Sequence, residues 1–205
     1  MSTTPTRRYS PRRPRTERRE QLLDATLSLV DAGGLSAFSI EGVAREAGLT
    51  KSVVYATFGS GEELLRALFD RELERALMDI AAALPQPPHV SPGEMLSGSL
   101  EIILRAVRER PETWRLFVLP ADGMPAAVRE DVARHRAELI QRVRPPIEWS
   151  LSRLSAEHVD AEVMTEVMIA CFEQAVRMTL TEPDRFTPER LLAFAGDFIA
   201  THRAP

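Results

Sequence analysis

Apolar side chains recur along most of the chain at intervals of three and four residues, which is the pattern of amphipathic helices. Two short stripes of this kind lie within residues 39–58, one on each side of Gly48. Their members are Ile40, Val43, Ala44 and Ala47 before the glycine, and Val53, Val54 and Phe58 after it. Glycine suits the left-handed conformation that ends a helix, and Ser39 and Thr50 can cap the two helix starts. Two short helices joined by a glycine turn predict a helix-turn-helix, whose second helix fits the major groove of DNA.

The same spacing predicts helices along the rest of the chain. Residues 60–63 and 91–94 each form a capping box that starts a helix. Pro145 and Pro146 are expected to break or kink their helix, because proline cannot continue the hydrogen-bond ladder. Few aromatic residues and few β-branched runs argue against a sheet, so the predicted fold class is all-α. Beyond the helix-turn-helix, the predicted helices cover residues 15–32, 60–84, 92–109, 111–119, 126–144, a shorter segment to 154, 157–181 and the segment after 187.

Proline also divides the chain into regions. Residues 85–92 contain four prolines, which end the long helix before them. That helix begins beside the predicted helix-turn-helix and runs away from it, so it connects two halves. The predicted organisation is a disordered basic arm over residues 1–14, a three-helix helix-turn-helix domain over 15–59, a connecting helix over 60–84, a proline-rich linker over 85–91 and a second helical domain over 92–205.

The distribution of charge supports a nucleic-acid partner. Residues 1–58 hold nine basic and six acidic side chains, a net charge of +3, and the whole chain carries −4, so the remainder carries −7. A basic end on an acidic body is expected when one end meets phosphate. One cysteine excludes an internal disulfide and fits a reducing cytoplasm. No apolar run reaches the ~18 residues of a membrane span, so we expect a cytoplasmic protein with no membrane partner.

Residues 44–55 read Ala-Arg-Glu-Ala-Gly-Leu-Thr-Lys-Ser-Val-Val-Tyr, and Phe58 follows three positions later. This stretch resembles the DNA-binding domain of the tetracycline-repressor (TetR) family of bacterial regulators, and the resemblance extends over residues 15–84. It implies an N-terminal helix-turn-helix domain followed by a helical domain that binds an effector and dimerises. The family commonly has an aromatic residue or histidine where Ala56 and Thr57 stand, and often a lysine at Gly61. We therefore expect fewer phosphate contacts here, for which the arginine-rich arm can compensate.

The first turn of the predicted recognition helix offers free backbone N–H groups and hydroxyls that suit a phosphate. The resemblance implies that Lys51 and Tyr55 contact phosphates, which position the protein without selecting a sequence. Ser52, Val53 and Ala56 are the candidates for contacts with base edges. The predicted DNA-binding residues are Ser39, Thr50, Lys51, Ser52, Val53, Tyr55, Ala56 and Thr57.

A single recognition helix buries too little surface for tight binding, so we expect a two-fold homodimer. The helix over residues 157–181 carries an apolar arc wider than one neighbouring helix needs. With the last helix, it is the predicted surface for a four-helix bundle between two copies, and ordinary core packing is the alternative. The predicted interface residues are Val163, Val167, Ala170, Gln174, Met178, Leu191, Leu192, Ala195, Phe198 and Ile199.

Large aromatic residues and methionines with few polar neighbours predict a pocket for a flat apolar effector in the C-terminal half. A well-packed core is the alternative for each residue taken alone. The tilt of the helix over residues 60–84 would carry the signal to the DNA-binding end. The candidate pocket residues are Leu100, Ile103, Leu104, Trp114, Phe117, Trp149, Met164, Met168, Cys171 and Phe172.

An enzyme or a helical ligand carrier is the remote alternative. His158, Glu162 and Glu166 share a helical face, but they spread over ~12 Å, too far for one metal ion. We expect a solvated face there, an inert buried thiol at Cys171, and neither a metal nor a cofactor. The predicted function is a transcriptional repressor that a small apolar effector releases from its operator. An activator, or a regulator that responds to no ligand, is the closer alternative.

Overall fold

The computed structural model describes residues 14–84, 91–119 and 124–201. The described residues form helices and their connections, without a strand, and this confirms the all-α prediction. The predicted arm and proline-rich linker fall almost wholly outside this part of the chain. The helices are α1 (Arg15–Gly33), α2 (Ile40–Glu46), α3 (Lys51–Phe58), α4 (Gly61–Ala83), α5 (Pro92–Glu109), α6 (Pro111–Val118), α7 (Ala126–Arg153), α8 (Ala161–Thr181) and α9 (Pro188–Thr201), with a short 3-10 turn over Leu35–Ala37.

Helices α1, α2 and α3 pack with the first half of α4 around one apolar core, which Leu116 of α6 and Val128 of α7 also join. Leu22 and Leu23 of α1 meet Val43 and Val54 of the next two helices, and all four side chains are almost fully buried. Gly48 ends α2 with φ of 63°, a left-handed conformation that glycine adopts without a steric penalty. The Leu49 N–H then donates to the carbonyl of Ala44 at 2.8 Å, which closes the turn that aims α3.

The caps predicted from the sequence stand at three helix starts. The Ser39 hydroxyl accepts a hydrogen bond from the Gly42 N–H at 3.0 Å, at the start of α2. Ser60 accepts from the Glu63 N–H at 3.1 Å, and residues 91–94 form a complete capping box. Helix α8 begins later than expected, at Ala161, because Asp160 caps it by accepting from two backbone N–H groups.

The expected break at Pro145 and Pro146 is wrong, because α7 runs through both prolines over 28 residues. Each proline lacks the N–H that would bond the carbonyl four residues earlier. Those carbonyls belong to Gln141 and Arg142, which are exposed, so water can hydrate them. Helix α7 packs against α8, and Arg144 pairs with Glu148 across the two prolines at 2.9 Å.

The second half of the molecule packs α5, α6 and α8 around a separate core. Ile103, Val107, Trp114 and Val176 are buried together there. Helix α4 contributes Ile80 and Ala83 to this core, so it belongs to both halves. Helix α9 packs on α5. No helix in the described ranges has the length and apolar character needed to cross a bilayer.

Candidate nucleic-acid interface and ligand cavity

Helix α3 buries one side and leaves the other exposed. Val54 and Phe58 are buried, and they fix the helix against α1 and α2. The Tyr55 side chain is 52% exposed, which is a high exposed fraction for an aromatic side chain. All eight residues predicted to contact DNA are exposed or half-buried on α3 and at the starts of α2 and α3.

The first turn of α3 has no side-chain cap, so the cap predicted at Thr50 is wrong. The Thr50 and Ser52 hydroxyls bond each other at 2.8 Å instead of a backbone N–H. The Val53 N–H donates to the Thr50 carbonyl at 2.9 Å, and the Lys51 and Ser52 N–H groups remain available to an anion, as helix starts are in phosphate sites. The Thr57 hydroxyl behaves differently, because it donates to the Val53 carbonyl at 2.8 Å within the helix. Thr57 must break that bond before it can donate to a phosphate.

Lys51 pairs with Glu41 of α2, so its charge is not free in this structure. The hydrogen bond from Lys51 lowers the pKa of Glu41 below its ordinary value, which keeps the carboxylate ionised. Both side chains are more than half exposed, so the pair is screened by water. A phosphate that binds Lys51 has to displace this carboxylate.

Two side chains of α1 contact α2 and α3 and hold them in place. The Arg19 guanidinium lies over the Phe58 ring at 4.6 Å, a cation–π contact. The Gln21 side-chain amide donates to the Ala47 carbonyl at 2.8 Å, at the end of α2. These contacts hold the exposed side of α3 as a rigid surface.

A cavity of about 840 Å³ lies among α4, α5, α6, α7 and α8, with Phe198 of α9 at its edge. This volume is typical of pockets that hold small molecules. Six of the ten predicted residues line it, namely Ile103, Trp114, Phe117, Met164, Met168 and Phe172.

The other four predicted pocket residues do not line the cavity. Leu100 and Leu104 are buried in the packing between helices. Trp149 is half-buried, and the Arg153 guanidinium lies 5.5 Å from its ring. Cys171 is exposed, so the expectation of a buried thiol is wrong. Ile169 turns inward on α8, and a residue two positions later points to the opposite side of a helix.

Two walls of the cavity were not predicted. Helix α4 contributes Leu73, Leu77 and Ile80, and α7 contributes Val132, Leu139, Val143 and Ile147. The sequence signal for the α7 wall is the spacing of its apolar residues by seven, four and four positions, which places them on one side of an arginine-rich helix.

The acidic side chains of α8, Glu162, Glu166 and Glu173, pair with arginines of α7 and remain 73%, 45% and 48% exposed, so the solvated face expected for Glu162 and Glu166 is present. Arg136 donates to Glu166 at 3.0 Å and to Glu173 at 3.4 Å, and Arg144 lies 3.8 Å from Glu162. The hydrogen bond to Glu166 raises the pKa of Arg136. His158 lies apart, exposed in the turn before α8. Within the described residues, no group of three potential ligands could hold a metal ion.

Buried charges join α1, α4 and α6 between the two halves. Glu72 of α4 is fully buried, and its carboxylate accepts from Arg71 Nε at 2.7 Å and from the Thr113 hydroxyl of α6 at 2.6 Å. Arg71 also donates to Glu20 and Asp24 of α1, both at 2.8 Å. Burial alone would lower the pKa of Arg71, but the three carboxylates together raise it. The cavity residue Trp114 follows Thr113, so this network links the cavity wall to α1.

Helices α8 and α9 leave apolar side chains uncovered. Val163 and Val167 are at least half exposed, and Phe194 and Phe198 are 67% and 55% exposed with their rings stacked at 6.1 Å. Phe194 was not among the predicted interface residues, although it stands one helical turn before Phe198. Of the other predicted residues, Ala170 and Gln174 are exposed, Met178, Leu191, Leu192 and Ala195 are half-buried, and the side chain of Ile199 lies outside the described part.

Residues 22–68 match the sequence model of the family described as "Bacterial regulatory proteins, tetR family". Over 157 residues the chain is 30% identical to the HTH-type transcriptional repressor KstR of Rhodococcus jostii (strain RHA1), covering 75% of this chain and 72% of that protein. The fold matches a TetR-like transcriptional regulator from Rhodococcus sp. RHA1 with a TM-score of 0.71 and 26% identity, over 92% of this chain and 99% of that chain. The regulator FadR of Bacillus subtilis, solved in complex with stearoyl-CoA, shares the fold with a TM-score of 0.65 and 12% identity, over 90% of this chain and 99% of that chain. The chain belongs to the TetR family of bacterial transcriptional regulators.

Proposed function

We propose that this protein is a homodimeric repressor that holds operator DNA with α3 and releases it when a small apolar molecule fills the cavity. One observation carries the proposal: the same chain has an exposed side on α3 and a large apolar cavity. Helix α4 packs in the apolar cores of both regions and so connects them. Helices α1, α2 and α3 are the DNA-binding domain, α4 is the connecting helix, and the helices from α5 onward bind the effector and dimerise. As a DNA-binding regulator it acts in the cytoplasm.

The DNA contacts divide into two classes. The uncapped first turn of α3, the Ser39 and Thr50 hydroxyls, Lys51 and Tyr55 meet phosphates, which set the position of the protein on the duplex. Ser52, Val53 and Ala56 face base edges in the major groove. Thr57 joins the phosphate contacts only if its hydroxyl leaves the Val53 carbonyl.

The arginine-rich arm adds to affinity without selecting a sequence. Residues 1–14 contain Arg7, Arg8, Arg12 and Arg13, and each arginine that neutralises a phosphate steepens the dependence of affinity on salt. Deletion of these residues should weaken DNA binding and flatten that dependence. An unchanged salt slope would reject a role for the arm.

The dimer forms through the uncovered apolar side chains of α8 and α9. Phe194, Phe198, Val163 and Val167 would be covered when two copies pair α8 and α9 into a four-helix bundle. A two-fold axis through this surface presents α3 twice, which matches a two-fold operator.

The cavity supports an effector that is mostly apolar. Apolar side chains from five helices surround it, and FadR shows that a protein of this fold can be solved with an acyl-CoA bound. A ligand releases DNA only if it binds the non-binding conformation more tightly. Helix α4 can provide that difference, because it lines the cavity with Leu73 and Leu77 and packs Leu64 and Leu68 against the DNA-binding helices.

The test combines DNA binding with a reporter. Genomic fragments that the purified protein selects should shift in a gel, and their promoters should become more active in cells that lack the gene. The double variant Lys51→Ala with Tyr55→Ala should lose affinity for every fragment while it remains a dimer. Arg142→Ala is the control, because Arg142 is an exposed arginine on α7, far along the chain from α3. Loss of the dimer in the double variant, or lower promoter activity without the gene, would contradict the proposal.

A further inference from the structure

The neutral polar groups in the cavity wall are mostly satisfied within the protein. The Ser99 hydroxyl donates to the Ala83 carbonyl at 2.6 Å, and the Ser150 hydroxyl donates to the Pro146 carbonyl at 2.8 Å. The Ser91 hydroxyl accepts from the Glu94 N–H at the start of α5. A satisfied buried group gains little from a ligand, so these serines do not select one.

The carboxylate and the ring Nδ1 on the charged wall also have protein partners. Glu173, which lines the cavity on α8, receives a hydrogen bond from Arg136. His135 bonds the Asp131 carbonyl through Nδ1 at 2.7 Å. The wall formed by α7 and α8 therefore has no unpaired carboxylate to offer.

Two donors are left over. Trp114 is only 6% exposed, and its buried indole Nε1–H has no hydrogen-bond partner among the residues that the structure describes. Arg177 lines the cavity from α8, and its guanidinium makes no ion pair or hydrogen bond within the same described ranges. Tryptophan and arginine side chains can only donate hydrogen bonds, so the buried Trp114 N–H requires an acceptor from elsewhere, and the half-buried Arg177 can bind one. A buried donor without a partner is costly, which favours a ligand that supplies one.

These donors stand at one end of the cavity. Trp114 packs in the same cluster as Val176 and Leu180, which flank Arg177 along α8. Met164 lies thirteen positions before Arg177 on the same helix, which is about 20 Å at the rise of an α-helix. Arg144 of α7 lies 3.8 Å from Glu162, so the part of α7 that follows Arg144 lies beside the start of α8, where Met164 stands. Ile147 and Leu151 line the cavity from that part of α7. The cavity thus has an end with spare donors and an apolar end.

We infer that the effector is an elongated amphipathic acid, whose apolar chain lies toward Met164 and whose carboxylate binds Arg177 and the Trp114 N–H. The inference rests on the proposed function, because it names the chemical class of the effector of the same cavity. A carboxylate suits the site better than a neutral carbonyl, since it also balances the charge of Arg177 among mostly apolar lining residues. The Glu173 carboxylate does not compete, because Arg136 already holds it.

Calorimetric titration of the full-length dimer with dodecanoate and with dodecanol tests the inference, since the two probes share one chain and differ in the head group. A hydrogen-bonded charge pair should make dodecanoate bind about tenfold more tightly or better. Arg177→Met should abolish this preference and leave dodecanol binding unchanged, while Arg177→Lys should keep part of it. Trp114→Phe keeps the ring, removes the N–H and should weaken dodecanoate binding. Arg142→Met, outside the cavity, should behave as the unmodified protein.

Equal affinity for the acid and the alcohol in the unmodified protein would overturn the inference, as would a preference that survives in Arg177→Met. In both cases binding of an apolar probe in the cavity leaves the proposed function standing. Circular dichroism and the dimer mass establish that each variant is folded. Failure to bind either probe, with operator binding intact, would also overturn the inference. Failure to bind any DNA would instead remove the proposed function.

Discussion

Replacement of Glu72 by glutamine should destabilise the protein, because this carboxylate is the buried centre of the network between α1, α4 and α6. Its oxygens accept from Arg71 at 2.7 Å, from Arg75 at 3.0 Å and from Thr113 at 2.6 Å. Glutamine keeps the shape and removes the charge. One side-chain oxygen still accepts from the two arginines, and the new amide group can donate to the Thr113 hydroxyl.

The expected loss follows from these three contacts. A hydrogen bond to a charged group contributes about 1.5 to 3 kcal/mol, and loss of the acceptor charge reduces it by about half. The Arg71 side chain is 11% exposed and bears the full effect, while Arg75 is 35% exposed and is partly screened. Glu20 and Asp24 still pair with Arg71, so no unpaired charge remains buried. The sum is about 2 kcal/mol, below the about 3 to 5 kcal/mol typical of a broken buried pair.

Urea denaturation at a fixed protein concentration measures this loss, because the stability of a dimer depends on concentration. Asp70→Asn is the matched control, since Asp70 lies on the same helix and pairs with Arg66 at the surface. The control should leave the urea midpoint unchanged. A urea midpoint for Glu72→Gln equal to that of the control would refute the conclusion that this network stabilises the packing of α1, α4 and α6.

Three further predictions concern the turn, the DNA surface and the dimer. Gly48→Ala should lower the free energy of unfolding by about 1 to 2 kcal/mol, from the left-handed backbone alone, because no atom lies within 4 Å of the added Cβ; an unchanged urea midpoint would contradict this. Glu41→Gln should raise DNA affinity at low salt, since it frees Lys51 and removes a negative charge near phosphate; fluorescence anisotropy should detect the increase, and weaker binding would be evidence against a role for Lys51. Phe194→Glu combined with Phe198→Glu should yield monomers in sedimentation velocity, because charges would replace the most exposed aromatic residues of α9; a dimer that persists would place the interface elsewhere.

The helix-turn-helix could be predicted from the sequence because its signals are local. The Ser39 cap and the Gly48 turn each depend on residues within one helical turn, and the structure has both. The Ser60 cap that starts α4 and the capping box that starts α5 are local in the same sense.

The cavity could be predicted only in part, because its shape depends on how helices rotate and pack. Cys171 lies among apolar residues in the sequence, which suggests a buried side chain. In the structure Ile169 and Val176 occupy the buried side of α8, and Cys171 is exposed to solvent. The solvated character of Glu166 and Glu173 could be predicted from the sequence, but their pairing with Arg136 of α7 depends on how the two helices pack. Helix α7 likewise continues through Pro145 and Pro146, which rules based on neighbouring residues alone do not predict.

The central claim is that two copies of α3 bind DNA together. Footprinting of the purified protein on a fragment that it selects from its genome tests this claim most directly. The account predicts two protected half-sites related by a two-fold axis, with centres about 34 to 36 Å apart or a multiple of that distance. Both footprints should vanish together in the Lys51→Ala, Tyr55→Ala variant. A single protected half-site under a monomeric protein, or protection that this variant retains, would contradict the account.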